Sequence, residues 1–136
     1  MTAMKDRFLE DTQWIHIENN IIFSHAGVSK VWLEQSAKVK LEDVNKLPPS
    51  EIFGFIPDNR YDFCGESVTQ SITWIRPTKL ISCNIDGYDQ VIGHSPVEEI
   101  TSMVADNGQL IYACDCLENK QYLVIDNNKF IPKSIL

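Results

Sequence analysis

The step Asp106-Asn107-Gly108 constrains this chain more than any other segment. Asn-Gly readily adopts the positive-φ conformations of a tight hairpin turn. Glu98 to Ala105 and Gln109 to Cys114 flank it with strand-type composition, so an antiparallel hairpin is predicted there. Similar turns recur at Glu18-Asn19-Asn20, between Trp14–Ile17 and Ile21–Ser24, and at Asp126-Asn127-Asn128, between Gln121–Ile125 and Phe130-Ile131. The middle of the chain reads as helical. Ser29 is placed to cap a helix running through Trp32 and Leu33 to Lys38. Leu41 to Lys46 reads as one more helical turn, closed by Pro48-Pro49, and Ser50 to Phe53 as a short helical start. Pro57 to Gly65 reads as a surface loop, Glu66 to Ile75 as a helix, and Gln90 to Ile92 as a short buried strand. A hairpin, a helical middle and a run of antiparallel strands make an α+β pattern. No linker or repeat divides it, so residues 1–136 are expected to form a single domain.

Composition narrows the function classes. The chain is 43% hydrophobic over 136 residues, enough for one real core, and 23% charged, which does not indicate disorder. The formal net charge is −7 and no Lys/Arg cluster is present, so no nucleic-acid partner is expected. No apolar run approaches the roughly 20 residues that span a bilayer, and Met1 to Arg7 lead into no signal-peptide core. No membrane partner is expected either. Cys64, Cys83, Cys114 and Cys116 lack CxxC spacing, which argues against a zinc ribbon and for reduced thiols in a cytoplasmic protein.

Two of the three histidines stand where a strand runs into a Gly-containing turn. They are His25, in Ile21-Ile22-Phe23-Ser24-His25-Ala26-Gly27, and His94, in Gln90-Val91-Ile92-Gly93-His94-Ser95-Pro96. Each alone reads as an ordinary strand-end histidine. The matched contexts together make them candidate ligands of one metal ion. His16 lies inside a strand beside Trp14 and reads as structural or solvent-facing. Arg76 precedes Pro77, which restricts its backbone, and its planar fork suits two oxygens of a phosphate. The alternative is a surface Arg at a helix end. Asp115 is placed to hydrogen-bond a ligating histidine, or else to start a turn. Cys114 and Cys116 share a strand face and read as buried thiols.

Taken together these segments resemble the C-terminal half of the calcineurin-like metallophosphoesterases, in the bacterial and phage branch of the serine/threonine-type protein phosphatases. Phe23-Ser24-His25-Ala26-Gly27, Trp74-Ile75-Arg76-Pro77 and Val91-Ile92-Gly93-His94-Ser95-Pro96 resemble that family's strand-His, Trp-x-Arg and Gly-His-Thr-Pro segments. Tyr112 to Cys116, followed by Tyr122 to Ile125, resembles its closing Ile-Asp-Thr-Gly hairpin, with Cys116 and Leu117 in place of Thr and Gly. The resemblance implies part of a two-sheet sandwich with flanking helices and mostly antiparallel C-terminal strands. It implies that His25 and His94 bind one ion of a two-metal centre holding manganese, iron or zinc. Arg76 then holds the phosphate of a phosphorylated substrate such as a phosphoprotein, and Asp115 supports a ligand.

The same resemblance marks what is missing. The family's Asp-x-His, Gly-Asp-x-x-Asp-Arg-Gly and Gly-Asn-His segments are not found, and Asp58-Asn59-Arg60 stands in the wrong order to replace one. No catalytic residue is therefore assigned. The expectation is the C-terminal portion of a dinuclear-metal phosphoesterase acting on phosphomonoesters. It would be inactive alone, completed by an N-terminal half in cis or in trans, and prone to self-association through surfaces left uncovered. The alternative is a non-catalytic remnant serving as a binding or assembly module.

Overall fold

The computed structural model describes residues 7, 10–57 and 62–135; Asp58-Asn59-Arg60 lies outside them, as do Met1 and Met4. Strands β1 (Ile15–Glu18) and β2 (Ile21–Ser24) form the first hairpin. Its turn residues Asn19 and Asn20 both have positive φ, 50° and 61°, the combination that matches strand twist. Strand β3 (Asp89–Ile92) follows, then β4 (Thr101–Val104) and β5 (Leu110–Ala113) around Asp106-Asn107-Gly108. Strands β6 (Gln121–Asp126) and β7 (Lys129–Ser134) make a separate hairpin, turned by Asn127 and Asn128 at positive φ.

The α+β class is as expected, and the five-stranded sheet is mixed. Its order is β1-β2-β3-β5-β4, with β3 parallel to both β2 and β5. The C-terminal strands are thus antiparallel only in the pairs β4–β5 and β6–β7. Parallel neighbours need a long crossover, and residues 25–88 supply the one between β2 and β3. Pairing register places Ile15, Ile22, Ile92, Ile111 and Ala113 on one face, and each is at most 3% exposed. Burying an isoleucine stabilises by about 1.5–3 kcal/mol, and a one-residue slip would turn the whole set outward. The crossover packs Val28, Trp32, Leu41, Val44, Ile52 and Ile72 against one end of this face, and Ala26, Ile75 and Leu80 against the other.

Ser29 caps as expected. Its hydroxyl accepts the Trp32 N–H at 3.2 Å and its carbonyl the Leu33 N–H at 3.0 Å. The helix behind it is short, winding as a π-turn over Trp32–Ala37 and ending at Lys38 with φ 54°. Leu41–Lys46 is a 3₁₀ segment, and the helices α1 (Pro49–Ile52) and α2 (Pro77–Leu80) are single turns. The helix expected over Glu66 to Ile75 does not form; turns replace it. Its Ser, Thr and Gln side chains bond locally instead, Ser67 to Thr69 at 2.8 Å and Ser71 to Thr73 at 2.9 Å, which competes with helical backbone. No helix among the described residues is long and apolar enough to cross a membrane.

Candidate phosphoryl-binding rim

Three parallel strands end at one edge of the sheet. Ser24 closes β2, Ile92 closes β3 and Ala113 closes β5, so His25, Gly93-His94 and Cys114-Asp115 gather there. Ligands of parallel sheets commonly bind at such carboxyl edges. Two backbone bonds hold the edge together. Gly93 N–H donates to the His25 carbonyl at 2.8 Å, and Cys114 N–H to the Ile92 carbonyl at 2.9 Å.

His94 has φ 63°, and Ser95 N–H reaches back to the Gly93 carbonyl at 2.7 Å. That three-residue turn is the rare, strained form of γ-turn, costing about 1–3 kcal/mol at a non-glycine residue. It aims the imidazole across the rim at His25. His25 Nε2 and His94 Nδ1 lie 2.9 Å apart. His94 Nε2 is buried without a hydrogen-bond partner among the described residues. An unpaired lone pair is easier to bury than an unpaired N–H. The favoured arrangement therefore puts the His94 proton on Nδ1, donated to His25 Nε2. Burial holds His94 below the ordinary histidine value, His25 and Arg76 push the same way, and Asp115 opposes them.

Arg76 has the extended backbone expected ahead of proline, φ −84° and ψ 146°. It stands at the start of α2, so it does not cap a helix C-terminus. Nε donates to the Cys64 carbonyl at 3.1 Å and one terminal nitrogen to Ser95 Oγ at 3.4 Å. The guanidinium lies 5.1 Å from the centre of the Trp74 ring. Among the described residues it has no carboxylate partner. Trp74 in turn sits 4.9 Å from the His94 ring, centre to centre, so Arg76, Trp74, His94 and His25 are contiguous. Gly65 makes room for them. With φ 81°, a Cβ there would meet the Trp74 carbonyl at 2.5 Å and Arg76 Cγ at 2.9 Å.

Asp115 is exposed on a groove shared with His25, His94, Phe23 and Val91, and acts on His94 through its charge. It centres a second three-residue turn, with Cys116 N–H donating to the Cys114 carbonyl at 2.8 Å. His16 pairs with Phe23 across the first hairpin, its ring 5.8 Å from the Phe23 ring and its Nε2 3.7 Å from Glu18, and it takes no part in the imidazole pair. Burial pushes the Cys114 thiol up to about 11 and raises Cys83 and Cys116 as well. None of these three is prepared as a thiolate nucleophile. Sequence reasoning passed over Gln90, which is fully buried and anchors the His25 loop. It accepts the Val28 N–H at 2.8 Å and donates to the Val28 carbonyl at 2.8 Å and to Asn84 Oδ1 at 2.7 Å. An isolated Gln in an apolar strand was the available signal.

Among the described residues the rim brings two imidazoles together but no full set of metal ligands. No group of three or more His, Cys, Asp or Glu residues able to hold an ion occurs among the described residues. Transition-metal sites ordinarily take three or four protein ligands, and the rim offers two imidazoles already joined to each other.

No protein-family profile matches the chain, and no curated protein matches it in sequence. Solved structures do share its fold. The crystal structure of the cold-active protein-tyrosine phosphatase of the psychrophile Shewanella sp. is 17% identical, with a TM-score of 0.59 over 95% of this chain and 42% of that one. A second structure of a cold-active protein tyrosine phosphatase is 16% identical, with a TM-score of 0.60 over 95% and 41%. The chain thus spans about two-fifths of the length of both. These findings overturn the reading as a calcineurin-like, dinuclear-metal phosphoesterase: the structures that share the fold are protein-tyrosine phosphatases, and the metal-binding expectation finds no ligand set here. The motifs behind that reading were short strand ends carrying His and Gly, which a parallel-sheet edge generates without fixing a family. What stands is an α+β fold shared with these solved structures.

Proposed function

We propose that this chain is the phosphoryl-binding portion of a phosphatase-type hydrolase acting on phosphomonoesters. The observation that carries the reading is the contiguity of Arg76, whose guanidinium has no carboxylate partner among the described residues, with the imidazole pair His25–His94 at the carboxyl edge of the sheet. Arg76 supplies a planar fork for two phosphoryl oxygens. Ser95 Oγ adds a hydroxyl donor beside it. The chain's overall acidity works against an anionic substrate, so this cationic rim has to supply the attraction locally. The buried thiols argue against a cysteine nucleophile from Cys83, Cys114 or Cys116. The fold shared with phosphatases favours this reading over a non-catalytic remnant. Because the chain spans about two-fifths of those structures, groups that complete turnover are expected from polypeptide outside it.

Calorimetric titration with orthovanadate, a phosphoryl mimic, tests the reading. Saturable binding that weakens about tenfold or more in Arg76→Ala supports it, the scale of one charged hydrogen bond. Binding indifferent to Arg76 contradicts it.

A further inference from the structure

Strand β4 is an outer strand of the five-stranded sheet. Ala105 N–H donates to the Gln109 carbonyl at 2.8 Å, which fixes the parity of the β4–β5 ladder. In an antiparallel ladder alternate residues turn their backbone groups toward the neighbouring strand. Thr101 and Met103 therefore bond to β5, while Ile100, Ser102, Val104 and Asp106 turn theirs outward. The two end positions are satisfied: Ile100 N–H donates to Gln121 Oε1 at 2.9 Å, and Asp106 N–H to the Ile81 carbonyl at 2.9 Å. Between them, Ser102 and Val104 have no hydrogen-bond partner on that side among the described residues. Both are exposed, Val104 by 66%. The opposite edge is closed by contrast: Asn45 accepts the Ile15 N–H at 3.0 Å and donates to the Ile15 carbonyl at 2.9 Å. The open stretch of β4 also lacks the Lys or Pro that blunts exposed edges. Acidic groups bracket it. Glu98 and Glu99 precede it and Asp106 follows, all exposed and none in an ion pair among the described residues.

We propose that this edge takes up an extended segment of another protein as an added strand, with an uncharged, β-branched centre and Lys or Arg on both flanks. The N–H and carbonyl groups of Ser102 and Val104 supply the main-chain bonds of such strand addition. Charge complementarity selects the occupant. A second copy paired antiparallel about a two-fold axis would set Glu98 and Glu99 of each chain against Asp106 of the other, like against like. Face-to-face stacking of two sheets would leave the edge groups unanswered. A basic residue at each flank of the added strand answers both acidic ends.

Amide hydrogen exchange of the 136-residue chain, with and without the capped peptide Lys-Arg-Val-Thr-Val-Arg-Lys, tests the proposal. In the free chain the Met103 N–H should be protected, and the Ser102 and Val104 N–H groups should exchange freely. At saturation the peptide should slow exchange at Ser102 and Val104 by about tenfold or more. It should also bind about tenfold tighter than the same peptide carrying Glu and Asp in place of Lys and Arg. Val104→Pro removes an outward N–H that the β4–β5 ladder does not use, so the sheet keeps its own bonds and peptide affinity should fall about tenfold. Exchange in the wild-type chain decides the matter even where that variant fails to fold. Basic peptide that binds without slowing exchange at Ser102 and Val104, or binds equally well to folded Val104→Pro, overturns strand addition. Equal affinity for the basic and acidic peptides, or no binding of either, overturns the proposed occupant. Protection of Ser102 and Val104 in the free chain that disappears on dilution gives the edge to a second copy and overturns it as well.

Discussion

Gly93 donates its backbone N–H to the carbonyl oxygen of His25 at 2.8 Å, and this bond continues the parallel pairing of β2 and β3 one step past the strands. It places both histidines on one rim. The turn at His94 then completes the approach of the two rings, so the geometry of the site is inherited from sheet register and not from a flexible loop.

The depressed proton affinity of His94 makes stability depend on pH. The unfolded chain takes up a proton at His94 near the ordinary value of about 6.5, and the folded chain only at lower pH. Where the unfolded state binds more protons, stability rises with pH. Stability is therefore complete above about pH 7 and is lost as pH falls through 6.5 toward the folded value. Thermal unfolding between about pH 7.5 and 5.5 should show a drop that is smaller in His94→Asn, whose side chain also accepts positive φ. Equal slopes for the two proteins would contradict the assignment.

Gly65 sets the position of Arg76. Gly65→Ala forces a Cβ against the Trp74 carbonyl and Arg76 Cγ at a residue with φ 81°. The expected cost is roughly 2 kcal/mol of stability, read by urea unfolding. Vanadate affinity should fall about tenfold in the same variant, since the guanidinium must move. Unchanged affinity in a folded Gly65→Ala protein would show that Arg76 does not need this placement.

Gln90 secures the loop that follows His25. Gln90→Ala leaves the Val28 N–H and carbonyl without their partner inside the core. At about 1–3 kcal/mol per buried group left unpaired, a loss of roughly 3 kcal/mol is expected in chemical denaturation. A loss below about 0.5 kcal/mol would mean that the loop is satisfied in another way.

Much of the local structure was legible because its causes are local. The Asn19-Asn20, Asn107-Gly108 and Asn127-Asn128 turns and the Ser29 cap follow from side-chain chemistry within a few residues. Glu66 to Ile75 was misread because its hydroxyl and amide groups bond to one another and to distant backbone, as Gln70 does to the Asp62 carbonyl at 2.6 Å. Sheet order was not legible. Ile22 faces Gln90 across a long crossover, and no local signal encodes that pairing. The strand-end contexts of His25 and His94 did announce their convergence. The aromatic cleft beside them, lined by Phe53, Phe55, Phe63 and Trp74, carries no such strand-end signal.

The outward face of the sheet carries a cross-strand row of Phe23, Val91 and Tyr112. Phe130 stacks on Tyr112 at 4.1 Å and 6°, the His16 ring lies 5.8 Å from Phe23, and Val91 between them is only half-buried. At the β4 edge Val104 is 66% exposed. Such surfaces promote association, so light scattering at micromolar concentration should find the chain larger than a monomer, and Val91→Lys should shift it toward one. A monomeric wild-type chain under those conditions contradicts this expectation.

The most direct test of the phosphoryl rim is to watch its imidazoles while phosphate is added. In NMR spectra of the ring protons, His25 and His94 should shift together with a single saturating dependence on millimolar inorganic phosphate, and His16, beside Glu18 on the first strand, should stay fixed. In Arg76→Ala the same titration should leave all three in place. If His25 and His94 do not respond in the wild-type chain, or respond equally without Arg76, the rim is not a phosphoryl site.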